Sequence, residues 1–308
     1  MINFIKYQSW TFGLAVAITL ISLGLLAVIG LRPAIDFTGG TLLVLNFTGE
    51  RPTAMDMSGV IKGLNLNLGE PTAKPSGETN MMVRVRFLSE EEHNQLLTGI
   101  RTAYETPGDS NDLVLEERVE TIGPSISANF RTRTTYAIIV VVTAILIYIA
   151  YAFRQISRPV QSWKYGIAAV LALTHDVLIT IGVFTLLGKY LNVEVGVPFV
   201  VALLTILGYS VNDTIVVFDR IRENLIKKGS SEDYPTIVNL ALNQTLARSF
   251  NTSFTTLLAL FGLFFFGGES IKYFSLALII GIAAGTYSSI FIASPAVVLW
   301  YRWKTRRS

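Results

Sequence analysis

Long apolar runs alternate with one extended polar block along the chain. Residues 11–31 form about twenty positions with no charge, enough to cross a bilayer. Five further runs follow at 134–153, 161–187, 195–218, 251–267 and 273–300. The first run is too long for a cleaved leader and lacks an Ala-x-Ala site, so it reads as an uncleaved span. Arg32-Pro33 ends it, because proline disfavours helix at the residue before it. The pattern then changes period. Val83, Val85 and Phe87 alternate with Arg84 and Arg86, the mark of a half-buried strand. Residues 41–47 are apolar and β-branched, and weaker strand character lies at 66–73, where Pro71 intrudes, and at 112–121. Helical spacing covers 54–64 and 89–104. Ser89 is placed as N-cap with Glu92 at the capping-box position, and the turn Pro107-Gly108-Asp109 follows. The order βαββαβ predicts a small ferredoxin-like α+β domain over 32–133, inserted between the first and second of six transmembrane helices. The remaining divisions are a head and first span at 1–31, five spans over 134–301, a charged segment near 219–250 with Gly229 as breaker, and a basic tail at 302–308.

Composition agrees. The chain is 51% hydrophobic and 15% charged, against about a quarter charged in soluble domains. The formal charge of +3 hides an asymmetry: 32–133 holds ten Lys/Arg and fourteen Asp/Glu, the rest fifteen and eight. With both termini cytoplasmic, thirteen Lys/Arg outside the polar block, Arg154 and Arg158 among them, fall inside. Only Lys189 and Lys272 fall outside, as the positive-inside rule requires. The polar domain is then periplasmic or extracellular. The basic tail sets topology and touches anionic lipid, and nucleic-acid binding is not expected. No cysteine is present and only two histidines, which excludes disulfides, thiolate sites and a histidine-rich metal site. No phosphate loop, nucleophile elbow or metal motif occurs, so neither an enzyme nor an ATP-driven machine is expected.

The candidate chemistry lies in the spans. Asp213 stands six residues inside Asp219, roughly 9 Å at about 1.5 Å per residue. A carboxylate at that depth costs a few kcal/mol or more and marks a functional candidate. Tyr209 and Ser210 share its helix face and could hydrogen-bond it; Asn212 and Thr214 extend the polar end. Asp219 reads as a solvated or ion-paired boundary residue beside Arg220 and Arg222. His175-Asp176 is the second costly feature, either supporting a proton relay or satisfied structurally. Arg248 opens the fifth span with Thr252 on its own face. It would hold the Asp213 carboxylate charged, or else snorkel as an interfacial topology determinant. Gly281-Ile-Ala-Ala-Gly285, followed by Tyr-Ser-Ser289, reads as a small-residue packing face. His93 reads as an ordinary surface histidine.

Asp36-Phe-Thr-Gly-Gly40, His175-Asp176, the segment Gly208-Tyr-Ser-Val-Asn-Asp-Thr-Ile-Val-Val-Phe-Asp-Arg220 and Arg248-Ser-Phe-Asn-Thr-Ser253 together resemble the SecF family, over nearly the whole chain. The plan also looks like half of an RND-type proton-driven exporter. The resemblance implies a subunit of the bacterial inner (cytoplasmic) membrane that works with SecD. It would use the proton motive force to help preproteins through the SecYEG translocon, with YajC as a further partner, protons as coupling ion and no cofactor. It places the essential aspartate at Asp213 and a functional arginine at Arg248. It includes Asp36, Gly39 and Gly40 as a motif after the first span, the glycines serving a tight turn into the sheet. Two alternatives stay open: a scaffold that conducts nothing, and half of an RND-type small-molecule exporter.

Overall fold

A computed structural model of the protein describes residues 2–105, 114–152, 160–228 and 232–306. The turn at Pro107-Gly108-Asp109, the strand start at Asp112, and Arg154, Arg158, Pro159, Gly229 and Arg307 lie outside them. The chain divides into two compact units, 1–32 with 134–308, and 33–133.

The smaller unit is a four-stranded antiparallel sheet with two helices on one face. Strands β1 (Gly40–Phe47), β2 (Thr72–Ser76), β3 (Asn80–Val85) and β4 (Val114–Ile122) lie in the order β2-β3-β1-β4, the ferredoxin-like arrangement. Leu43 and Leu45 of β1 and Met81 and Val83 of β3 are fully buried. They pack on Met57 and Ile61 of α3 (Ala54–Gly63) and on Leu96 and Ile100 of α4 (Glu90–Tyr104). A short helix α2 (Ile35–Thr38) precedes β1, and the chain enters the sheet through Gly39 (φ 72°) and Gly40 (φ 135°). A Cβ on Gly40 would stand 2.7 Å from the Val85 carbonyl, so both the backbone and the space demand glycine. Two expectations shift. The strand expected at 66–73 forms at Thr72–Ser76, where Pro75 is tolerated because β2 is an edge. Phe87 falls beyond the end of β3 and is exposed, and Leu88 takes the inward place. His93 is no free surface histidine, since its Nε2 lies 2.9 Å from Glu116 Oε2, both side chains about one-fifth exposed.

Among the described residues, six helical stretches are long and apolar enough to cross a membrane. They are α1 (Gln8–Val28) with its preceding 3-10 turn, α5 (Pro124–Ala152), α6 (Ser162–Leu191), α7 (Val197–Lys228), α8 (Tyr234–Phe266), and α9 (Glu269–Ser288) continued through a π-turn (Ser289–Ala293) into α10 (Ser294–Thr305). The charged segment expected near 219–250 is helical over most of its described length: α7 continues to Lys228 and α8 already begins at Tyr234. Likewise α5 starts at Pro124, ten residues before its apolar run, with proline at the first helical position where its missing N–H costs nothing.

Close approach of α9 to α7 is set by two glycines. A Cβ on Gly281 would overlap the Ile206 side chain, and one on Gly285 would meet the Ser210 Cβ at 2.8 Å. Gly182 of α6 meets Ser22 of α1 in the same manner, 2.7 Å to its Cβ. At one end of the bundle the buried Tyr165 and Tyr234 hydroxyls pair at 2.8 Å. The first residues are clasped by α8. The Ile2 and Phe4 amides donate to Asn243 Oδ1 and Asn239 Oδ1, each at 2.8 Å. The same two side chains donate back to the Ile2 carbonyl.

Candidate functional site

Among the described residues of the bundle, Asp213 and Asp176 are the two buried carboxylates, 7% and 0% exposed. An ionised carboxylate in that setting is tolerable only with its oxygens hydrogen-bonded. The packing of α6, α7, α8 and α9 supplies the donors, and every one is a serine or histidine. Asp213 Oδ1 accepts from Ser249 of α8, and Oδ2 accepts from Ser289 at the start of the π-turn at 2.7 Å. Asp176 Oδ2 accepts from Ser210 of α7 at 2.6 Å and from Ser288 of α9 at 2.8 Å. Its Oδ1 lies 3.0 Å from Nδ1 of His175, whose imidazole curls back onto the neighbouring residue. When Nδ1 carries the hydrogen, Nε2 is an acceptor; it is buried and has no hydrogen-bond partner among the described residues.

The π-turn that presents Ser289 has a local cause. Pro295 has no N–H to give the carbonyl four residues back, and its ring crowds that carbonyl, so the ladder widens just before it. Within the turn the Ser294 hydroxyl donates to the Ser289 carbonyl at 2.9 Å.

Several side chains stand elsewhere than expected. Ser210 serves Asp176, not Asp213, and the Tyr209 hydroxyl donates to Thr256 at 3.3 Å. The hydroxyls of Thr214 and Thr252 bond backbone carbonyls one turn back, at Ser210 and Arg248. Asn212, Thr252 and Arg248 do line a small cavity of ≈ 80 Å³ that also reaches Asp213, large enough for water. Arg248 is exposed and makes no ion pair with Asp213 among the described residues. It also lines an open cleft of ≈ 550 Å³ with Arg220, Arg222, Asp219 and Glu223, so it borders both cleft and cavity. Asp219 is 65% exposed at its side chain, 3.7 Å from Arg222, a boundary ion pair. Asp36 lies half-buried in the first turn of α2, in the other unit.

Ser249, Ser288 and Ser289 escaped the sequence reading. Ser249 sat unremarked inside the motif after Arg248. The two others closed a stripe that reads as packing, and only the neighbouring helices reveal that they meet acids. Gly281 and Gly285 do pack; Ser288 and Ser289 bond carboxylates.

Six spans, a helical core with buried hydroxyl-bound acids and a small α+β insertion define a multi-pass membrane transport component. The family description "Protein export membrane protein SecD/SecF, C-terminal" matches residues 107–303, and "SecD/SecF GG Motif" matches 24–49. The protein translocase subunit SecF of Thermobaculum terrenum is 39% identical, covering 97% of this chain and 94% of that protein. The SecF subunit of Desulfurispirillum indicum is 40% identical over 92% of this chain and 86% of its own. The crystal structure of SecDF, a translocon-associated membrane protein from a Thermus species, superposes with TM-score 0.82 at 32% identity. That match covers 98% of this chain and 39% of the SecDF chain. The chain therefore belongs to the SecD/SecF family, among its SecF protein translocase subunits, which are transport components rather than classical enzymes.

Proposed function

We propose that this chain couples proton movement to preprotein export, acting with SecD beside SecYEG in the bacterial inner membrane. Both termini and the Arg220 end of the bundle face the cytoplasm, and the α+β unit faces the periplasm. YajC is a further partner in this reading. The observation that carries it is Asp213: a carboxylate buried between three helices, hydrogen-bonded through both oxygens, and reached by a water-sized cavity that it shares with Arg248. A carboxylate so placed can hold or release a proton without meeting bulk water. The Arg248 guanidinium cannot lose its proton and offers a compensating charge across the cavity when the acid is ionised. Asp176 and His175 form a second hydrogen-bonded set on α6, which meets the first at the consecutive residues Ser288 and Ser289. A scaffold needs no ionisable group there, and hydroxyls arranged around two acids support coupling instead.

The test is ATP-independent completion of preprotein translocation in inverted vesicles, with and without a proton gradient, at matched SecD levels. Asp213→Asn is expected to remove the gradient-dependent part while the complex assembles normally. Wild-type export by that variant under a full gradient would leave the scaffold reading in its place.

A further inference from the structure

Ser288 and Ser289 are consecutive, fully buried, and attached to different acids. Each hydroxyl has a second acceptor. Ser288 Oγ lies 2.8 Å from Asp176 Oδ2 and 3.2 Å from the Gly285 carbonyl. Ser289 Oγ lies 2.7 Å from Asp213 Oδ2 and 3.1 Å from the Thr286 carbonyl. A serine hydroxyl owns one hydrogen and can also accept. It therefore donates to the carboxylate or to the carbonyl, never to both at full strength.

The two options correspond to the two charge states of the acid. When the carboxylate is ionised, the serine donates to it. When the carboxyl is protonated, its own O–H donates to the serine oxygen, and the serine hydrogen turns to the carbonyl three residues back. The bonded serine and carboxyl oxygens keep a partner in both states, and only hydrogens move. An unmatched buried group would cost about 1–3 kcal/mol. Consecutive residues on a helix point about 100° apart, and the π-turn starting at Ser289 allows one residue to reach α6 and the next to reach α7.

We propose that Ser288 and Ser289 are positioning residues, hydroxyl adaptors that keep Asp176 and Asp213 fully hydrogen-bonded as each gains or loses its proton. This rests on the coupling role of Asp213 and deepens it. The titratable and charged groups facing the pair are His175 and Asp176 on α6, Asp213 and Tyr209 on α7, Arg248 on α8 and Tyr287 on α9. The Tyr287 ring stacks on His175 at 6.2 Å. The fixed alternative acceptors, the carbonyls of Gly285 and Thr286, belong to α9 itself, so the adaptors stay in register wherever that helix goes.

The experiment compares gradient-driven translocation against pH for the wild-type complex with SecD and for Ser288→Ala and Ser289→Ala. Expected are losses of about tenfold or more and a displacement of the pH midpoint by about one unit, with normal assembly, since removing a donor to an acid costs on the order of one to two decades. Ser289→Thr keeps a hydroxyl and is expected to recover most of the rate. Should the alanine variants fail to accumulate, Ser288→Cys and Ser289→Cys preserve volume with a weak donor, and a full rate with an unmoved midpoint in them would overturn the proposal. So would alanine variants with wild-type rate and midpoint while Asp213→Asn is inactive; that result leaves the coupling role intact. Loss of rate with an unmoved midpoint and no recovery by threonine would make the serines packing residues and also overturn it. An active Asp213→Asn would remove both readings together.

Discussion

The three inner helical stretches and the three outer ones solve the same solvent problem in opposite ways. In α6, α7 and α9–α10, 50%, 44% and 61% of the most apolar stretch is buried inside the chain; in α1, α5 and α8 the figures are 11%, 6% and 17%. The outer helices turn Ile, Val and Phe outward to lipid, and their hydroxyls bond their own backbone one turn back. Thr132, Thr252 and Thr255 are examples. The inner helices send hydroxyls across to other helices, as Ser210, Ser288 and Ser289 do, and these end on carboxylates. The difference lies in what the crossing side chains meet: α8 shares bonds with its neighbours through Tyr234, Asn239, Asn243 and Thr256, all neutral partners, whereas the crossing serines of the inner layer meet acids. The proposed coupling is placed where satisfaction depends on a neighbour, because there a change in one helix alters the partners of another. Ser249, on the inward edge of α8, is where the outer layer reaches Asp213.

That contrast can be broken most severely at the glycines that bring the inner helices together. Gly281→Leu drives a branched side chain into Ile206 and is expected to cost about 1–3 kcal/mol or more, lowering the thermal midpoint of the purified complex. A stability equal to wild type would mean that α7 and α9 pack less tightly than the structure has them. The α+β unit sharpens the comparison, because its charges are set by water and pairing. The Arg86 guanidinium, then the Ser89 amide, hold the Glu92 carboxyl down from 4.5 to about 2. A carboxyl lowered in the fold stabilises above its unfolded pKa and loses that contribution as pH falls. The first turn of α4 should thus lose amide-exchange protection between about pH 4.5 and about 2. Glu92→Gln keeps the capping box but does not titrate, so its protection should stay flat across that window. At the small end, Ile139→Ala on the exposed face of α5 is expected to change stability by about 0.5 kcal/mol or less, read from the same thermal midpoint.

Much of the fold was legible because hydropathy and period are strong local signals. The six apolar runs, the alternation at Val83 and Val85 and the capping box at Ser89 each rest on residues close in sequence. Helix ends were less legible, since hydropathy marks where lipid stops, not where the backbone ladder stops. Hence α7 continues past Asp219 to Lys228. Of the site, Asp213 and Asp176 stood out because a carboxylate in an apolar run has a cost that needs explaining. Their donors did not, because serine is cheap in a membrane helix and its partner is fixed only by packing. The assignment of Ser210 to Asp213 failed for the same reason: sharing a helix face is not sharing a hydrogen bond when α6 offers a second acid. Pro295 inside the last span was the one sequence cue to the π-turn beside the site.

The clasp at the amino terminus carries a consequence for biosynthesis. Ile2 is separated from Asn243 by 241 positions. At about 5–20 residues per second, on the order of 10–50 s of translation pass between the two. Through that interval α1 can enter the bilayer but its leading residues have no acceptor for their amides beyond solvent and headgroups. The joint between first and fifth spans closes late, after most of the chain has been made. Newly made copies stalled before Asn239 should therefore expose their amino-terminal residues to protease, and copies extended beyond Asn243 should protect them.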